Sequence, residues 1–174
     1  MRKRVGGRGI CAIAAVLLAL GWTLPARADD GDPVRANFIL LLPKYTTWPA
    51  TAFASPTSPV VIAVVGDDAL AKELSALAVG HQIEGRPVLI RAVASAAEAG
   101  SAHVIFLASP DDARDVELSP GLRVIEGRRN VRAGEIAFVM HGTEKVEFAV
   151  NKDGVKKRGL KLSSKLMRLA SSFD

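Results

Sequence analysis

Apolar and polar residues alternate strictly over 145–150 (KVEFAV), with Val146, Phe148 and Val150 on one face of a strand and Lys145, Glu147 and Ala149 on the other. A core face and a water face are expected. Beyond Asn151 the period lengthens, and Leu162, Leu166, Leu169 and Phe173 stand at i, i+4, i+7 and i+11 of a helix. Lys161, Lys165 and Arg168 repeat one residue out of phase, which predicts a basic ridge beside an apolar stripe. Gly159 suits the left-handed residue that ends a helix, and Ser163 suits the N-cap of the next.

Earlier in the chain, Pro33 is a favourable first helical residue. Val34, Phe38, Leu41 and Leu42 are spaced for a helix that Pro43 should end. Apolar runs at 60–65, 87–93, 103–107 and 122–125 predict strands, the first covered on both faces. Between them, 69–79 carries Leu70, Leu74 and Leu77 at helical spacing with Asp67 or Asp68 as cap. Residues 80–86 read as a loop, 95–100 as a small-residue helix or turn, and Ser109-Pro110 opens a short helix ending by Leu118. After a loop over 126–134 with arginines at 128, 129 and 132, strands at 136–140 and 145–150 form a hairpin joined by 141–144. This succession predicts an α/β fold: a mixed, mostly parallel sheet with flanking helices, a C-terminal β-hairpin and a terminal helix.

The first residues change the account of charge. Arg2, Lys3, Arg4 and Arg8 precede an apolar run over 10–20, and Ala26-Arg27-Ala28 closes it with a small-x-small site. That is the order of a cleavable secretory signal, which predicts export, a signal peptide at 1–28 and a single domain over 29–174. The signal removes 5 of 23 Lys+Arg and none of 18 Asp+Glu, so the mature balance is 23 less 5 against 18, or zero. An overall basic character is therefore no argument for nucleic acid. A local bias survives, because 152–168 holds seven Lys/Arg against Asp153 alone. Cys11 lies in the signal, so the mature domain has no disulfide, thiol nucleophile or cysteine metal site. It is 146 residues (174 less 28), a length that buries about 68–70% of its unfolded surface without such staples.

Catalytic patterns are lacking. His81, His103 and His141 fall in a loop, at a strand start and in a hairpin turn, without zinc-ligand spacing, and satisfied or solvated histidines are the ordinary outcome. There is no G-x-S-x-G elbow and no S-x-x-K motif, and the paired aspartates sit where helices start. No enzyme activity and no cofactor is expected. Tyr45, Trp48 and Phe53 form the one aromatic cluster, either core packing beneath a loop or an anchor for a partner.

Taken in order, several motifs resemble one family. They are K-[YF]-x-x-W-P (Lys44, Tyr45, Trp48, Pro49), G-D-D (66–68), G-R-P (85–87) and H-V-[IL]-F (103–106). F-x-[IV]-N (148–151) then runs into R-G-L-K-L-S-S-K-L-x-R-L-A (158–170). The set is similar to the YfiR family of periplasmic proteins. The resemblance implies a periplasmic, non-catalytic α/β regulator that binds the sensor domain of an inner-membrane signalling protein. It further implies repression of a diguanylate cyclase, lowering cyclic di-GMP and biofilm formation, an OmpA-like outer-membrane lipoprotein as a second partner, and homodimers. The chain departs from the family's pattern in having Ser101 and Ala102 where many members carry a cysteine, Pro43 before Lys44, and Glu135 at the usual second glycine.

Lys44, Tyr45, Trp48, Lys161, Lys165 and Arg168 are accordingly the expected partner-binding residues, and a sensor kinase could stand in the cyclase's place. The other reading is a small-solute-binding or chaperone-like protein with a crevice at the strand ends.

Overall fold

The strand runs assemble as their apolarity demands. In a computed structural model that describes residues 33–114, 120–127, 130 and 132–171, nine strands and four α-helices follow one another. They are α1 (Pro33–Leu41), β1 (Thr46–Thr47), β2 (Val60–Val65), α2 (Asp68–Leu77), β3 (Gln82–Ile83), β4 (Arg86–Val93), β5 (Val104–Leu107), β6 (Leu122–Glu126), β7 (Ile136–His141), β8 (Lys145–Val150), α3 (Lys152–Lys157), β9 (Lys161–Leu162) and α4 (Ser164–Leu169). Seven strands form one sheet in the order β3-β4-β2-β5-β6-β7-β8, and β1 and β9 form a separate pair. Pairings from β4 through β7 are parallel, and the β3–β4 and β7–β8 hairpins are antiparallel. The mixed α/β architecture with its terminal hairpin is thus the one the periodicities predict.

Both faces of the sheet's centre are covered, which is why β2 and β5 lack polar positions. On one face Ile62, Val64, Phe106, Val124, Ile136 and Phe138 meet α1 and α2 through Ile39, Leu40, Leu70 and Leu74. The other face (Ala63, Val65, Ile105, Leu107, Ile125, Ala137) is covered by Ala96, Ala99, Ala102 and Ala113 from 3-10 turns and loops. Alanine allows this thin cover, because a turn can lie close to the sheet. Gly121 shows the same closeness: a Cβ there would stand 2.3 Å from the Ala102 carbonyl oxygen.

Several local expectations change. In β8, Ala149 is buried along with Phe148, so the supposed water face is partly core. In α1 the deeply buried positions are Ala36, Ile39 and Leu40, whereas Leu41 is 39% exposed: a helix this apolar has no single face legible in its spacing. The 80–86 stretch is a hairpin rather than a loop, because Glu84 and Gly85 both take positive φ (52° and 78°), as a two-residue type I′ turn requires. The β7–β8 turn is shorter than expected, with His141 in the strand and paired to Lys145.

The largest correction concerns the end of the chain. The apolar stripe does not lie on one helix: Leu162 is in β9, Leu166 is buried in α4, Leu169 is 67% exposed, and Phe173 lies outside the described residues. Gly159, at φ +69°, does end α3, and Ser163 does cap α4, its Oγ accepting from the Leu166 N–H at 3.2 Å. The two local signals hold while the long stripe fails, because β9 breaks the helical period. The signal-peptide reading of 1–28, Arg128, Arg129 and the end of the 110–118 helix also lie outside the described residues.

Candidate functional site

Pro43 sets the geometry of the expected partner-binding residues. It ends α1 at Leu41 and passes the chain into a 3-10 turn, Leu42–Tyr45, in which the Thr46 hydroxyl donates to the Leu42 carbonyl at 2.9 Å. The turn delivers β1 antiparallel to β9, Thr46 opposite Leu162 and Thr47 opposite Lys161. The Ser163 N–H donates to the Tyr45 carbonyl at 2.8 Å and extends the pairing by one residue.

The two motifs singled out at opposite ends of the chain are therefore neighbours. Lys165 Nζ stands 6.0 Å from the Tyr45 ring centroid, the outer range of a cation–π contact. Lys44, Lys161, Lys165 and Arg168 are all exposed. The basic ridge is real as a surface but is not one helix face: Lys161 belongs to β9, while Lys165 and Arg168 lie three residues apart on α4.

Trp48 takes a different place. It is half-buried at the amino ends of β2 and β5, where a histidine is built into the packing. His103 lies between Phe53, stacked at 4.3 Å, and Trp48, edge-on at 5.5 Å. The Arg86 guanidinium sits 3.9 Å from the Phe53 ring and donates to the carbonyls of Ser55 and Ser58. A backbone N–H can only donate, so the Val61 N–H at 3.1 Å requires a bare Nδ1 on His103. A carbonyl can only accept, so Ala52 O at 3.0 Å requires the proton on Nε2. Trp48 and Phe53 thus pack around a neutral histidine, with an open cavity of ≈ 490 Å³ beside Trp48, Phe53, Glu84 and Arg86.

Burial holds the His103 pKa below its ordinary value; the Arg86 charge adds to this and the bond to Ala52 opposes it. Because the folded pKa is depressed, the unfolded chain binds more protons in acid. The contribution of His103 is complete above the unfolded value of about 6.5 and is lost as pH falls from there toward the folded pKa. One proton limits the slope to about 1.4 kcal/mol per pH unit. Denaturant unfolding from pH 7.5 to 5 should show this loss, and His103→Phe should flatten the profile. An unchanged slope would show that His103 does not carry it.

The carboxyl ends of the parallel strands, where an α/β crevice would hold a solute, are bridged instead. Arg35 of α1 pairs with Asp67 after β2 at 2.9 Å and with Glu126 at the end of β6 at 3.3 Å. Sequence reasoning missed this clamp, since a lone arginine in an apolar helix carries no spacing signal. It also missed the Arg123–Glu135–Arg158 cluster. There Glu135, fully buried, accepts from Arg123 Nη2 and Arg158 Nε, each at 2.7 Å, and from the Arg123 backbone N–H at 2.9 Å. Its signal was available: Arg123 interrupts an apolar strand, and Glu135 stands at a position expected to be glycine.

Among the described residues no group of three or more His, Cys, Asp or Glu side chains is placed to hold a metal ion, and no helix is long and apolar enough to cross a membrane. No curated protein matches the chain. Among solved structures, the chain is similar to a conserved domain protein from Vibrio cholerae O1 biovar El Tor, with TM-score 0.53 and 10% identity over 82% of this chain. It is also similar to an ABC domain in complex with L-Trp from Streptococcus pneumonia, with TM-score 0.50 and 12% identity over 78% of this chain. It spans 60% of the length of each, and at such identities the likeness shows the fold alone. A YfiR/HmsC-like family model matches residues 32–171, the whole of the sheet and both ends of the β1–β9 pair. The chain therefore belongs to the YfiR/HmsC-like family, whose membership implies a periplasmic regulatory protein.

Proposed function

We propose that the protein represses a diguanylate cyclase by docking on the periplasmic sensor domain of that inner-membrane enzyme, and so lowers cyclic di-GMP and biofilm formation. The observation that carries this reading is the family match over 32–171. In it the signal peptide at 1–28 is cleaved, 29–174 acts as one domain, an OmpA-like outer-membrane lipoprotein competes for the free protein, and homodimers form. Deleting the gene should raise cyclic di-GMP; unchanged levels, with no membrane protein captured by crosslinking, would overturn the reading.

The docking surface is the one organised by β1 and β9. Tyr45 supplies an aromatic body, and Lys44, Lys161, Lys165 and Arg168 surround it with exposed positive charge. An acidic face on the sensor domain would be attracted to it, with the charges acting mostly on association rate and salt dependence. Reversing Lys161, Lys165 and Arg168 to glutamate should leave the circular dichroism spectrum and melting temperature nearly unchanged. The same variant should weaken partner binding at least about tenfold, as like-charge contacts do. Equal affinity in the reversed protein would return these residues to ordinary solvated surface.

A further inference from the structure

Residues 48–59 carry the chain from β1 to β2, and the side chains of His103 and Arg86 tie them to the sheet. We propose that His103 is an acid-released latch: neutral, it holds this segment on the amino ends of β2 and β5, and protonated, it lets the segment go.

The ring stands where a sheet would ordinarily place a backbone carbonyl. Regular pairing of β2 with β5 begins at Ile62 and Val104, and one residue earlier Val61 is bonded twice to His103. The Val61 carbonyl accepts from the His103 backbone N–H at 2.9 Å, and the Val61 N–H donates to Nδ1 at 3.1 Å. At the ring's other nitrogen, Nε2 donates to the Ala52 carbonyl at 3.0 Å. One imidazole thus joins strand to segment, and only the tautomer with its proton on Nε2 does both. Phe53 stacks on the ring at 4.3 Å and Trp48 meets it edge-on at 5.5 Å, so the segment's two aromatic side chains close over the same point.

A second proton undoes this at a single atom. Nδ1 becomes a donor facing the donor of Val61, and the new charge lies in a buried ring beside the Arg86 guanidinium, itself 3.9 Å from the Phe53 ring centre. Residues 48–59 and the start of β2 have no ionisable side chain, and β6 approaches with Gly121 and Leu122. Glu84 lines the adjoining cavity but is exposed, and among the described residues no acid is hydrogen-bonded to the ring. Stacking on Phe53 favours a cation. A ring turned out to water, however, escapes both the facing donor and Arg86 and regains its hydration, so acid favours the open arrangement. Since β1 lies immediately before the segment, release reaches the surface around Tyr45; that consequence rests on the docking reading, whereas the latch does not.

The test is amide hydrogen exchange of the purified protein, followed residue by residue by NMR at pH 7.5 and pH 5, with each rate divided by its intrinsic value at that pH. Protection of the Val61 N–H should fall at least about tenfold at pH 5, within what linkage to one proton allows. Low urea separates local from global opening: the Val61 rate should stay constant, while rates at Phe106 and Val124 inside the sheet rise with urea. Over the same pH range the His103 ring signals should pass from the Nε2–H tautomer to the imidazolium, a measurement on the wild-type protein that needs no variant. His103→Phe keeps an aromatic ring in the stack but offers Val61 no acceptor, so its Val61 protection should be low and equal at both pH values. Equal Val61 protection in the wild-type protein at the two pH values overturns the proposal, as does a Val61 rate that rises with urea as steeply as those of Phe106 and Val124, or a wild-type pH response that persists in His103→Phe.

Discussion

Glu135→Gln is expected to lower stability by about 3–5 kcal/mol, the cost of leaving buried charge without its partner. The carboxylate is fully buried and pairs with two guanidiniums, Arg123 at 2.7 Å and Arg158 at 2.7 Å. Glutamine keeps the shape but turns one acceptor into a donor facing cations, so both arginines lose the charge of Glu135. In a domain of this size the loss corresponds to about 10 °C or more in melting temperature. The triple change Arg123→Met, Glu135→Leu, Arg158→Met separates charge imbalance from burial itself. Removing the whole group should be close to neutral, since apolar replacements of buried ion clusters often are. A single variant that melts within about 2 °C of wild type would show that the cluster contributes little.

The second large effect is expected in the core. Phe138 lies at the middle of β7, fully buried, 5.4 Å from the ring of Phe38 in α1 and 6.3 Å from that of Phe106 in β5. Phe148, its partner across the hairpin, packs on the same Phe38 ring at 5.2 Å. Truncation to alanine should cost about 3–5 kcal/mol, because the ring's contacts vanish and the sheet cannot collapse around the gap. Phe138→Leu should recover much of this. Urea unfolding with an unchanged m-value would assign the loss to the folded state. A cost below about 1 kcal/mol would mean that α1 and the hairpin close the cavity by moving together.

Six of the seven strands of the large sheet were legible because each is a run of four or more residues whose period the sequence states directly, whereas the two-residue β3 read as loop. Val60–Val65 and Lys145–Val150 occur with the boundaries their patterns predict. Caps were legible because they are local: Asp67 accepts from the Leu70 N–H, and Ser163 from that of Leu166. The β1–β9 pair was not, because two-residue strands show no period and their partners come from opposite ends of the chain. Missing β9 is what made Leu162 look helical and made the basic surface around Lys161 look like one helix face. Of the candidate site, Lys44, Tyr45, Lys161, Lys165 and Arg168 were found as residues, but that they meet follows only from the pairing. Trp48 lies apart from them, packed on a histidine whose two ring nitrogens face backbone groups at Ala52 and Val61.

Because Thr46 pairs with Leu162 and Thr47 with Lys161, the surface around Tyr45 depends on contact between segments more than a hundred residues apart. It comes into being only when the β9 segment folds back on β1. Loop closure over such a separation is slow compared with local helix formation. A chain cut between β1 and β9 could build most of the large sheet and still lack the surface around Tyr45. In the proposed function, competence to engage a partner is in this way tied to the joining of two segments far apart in the chain.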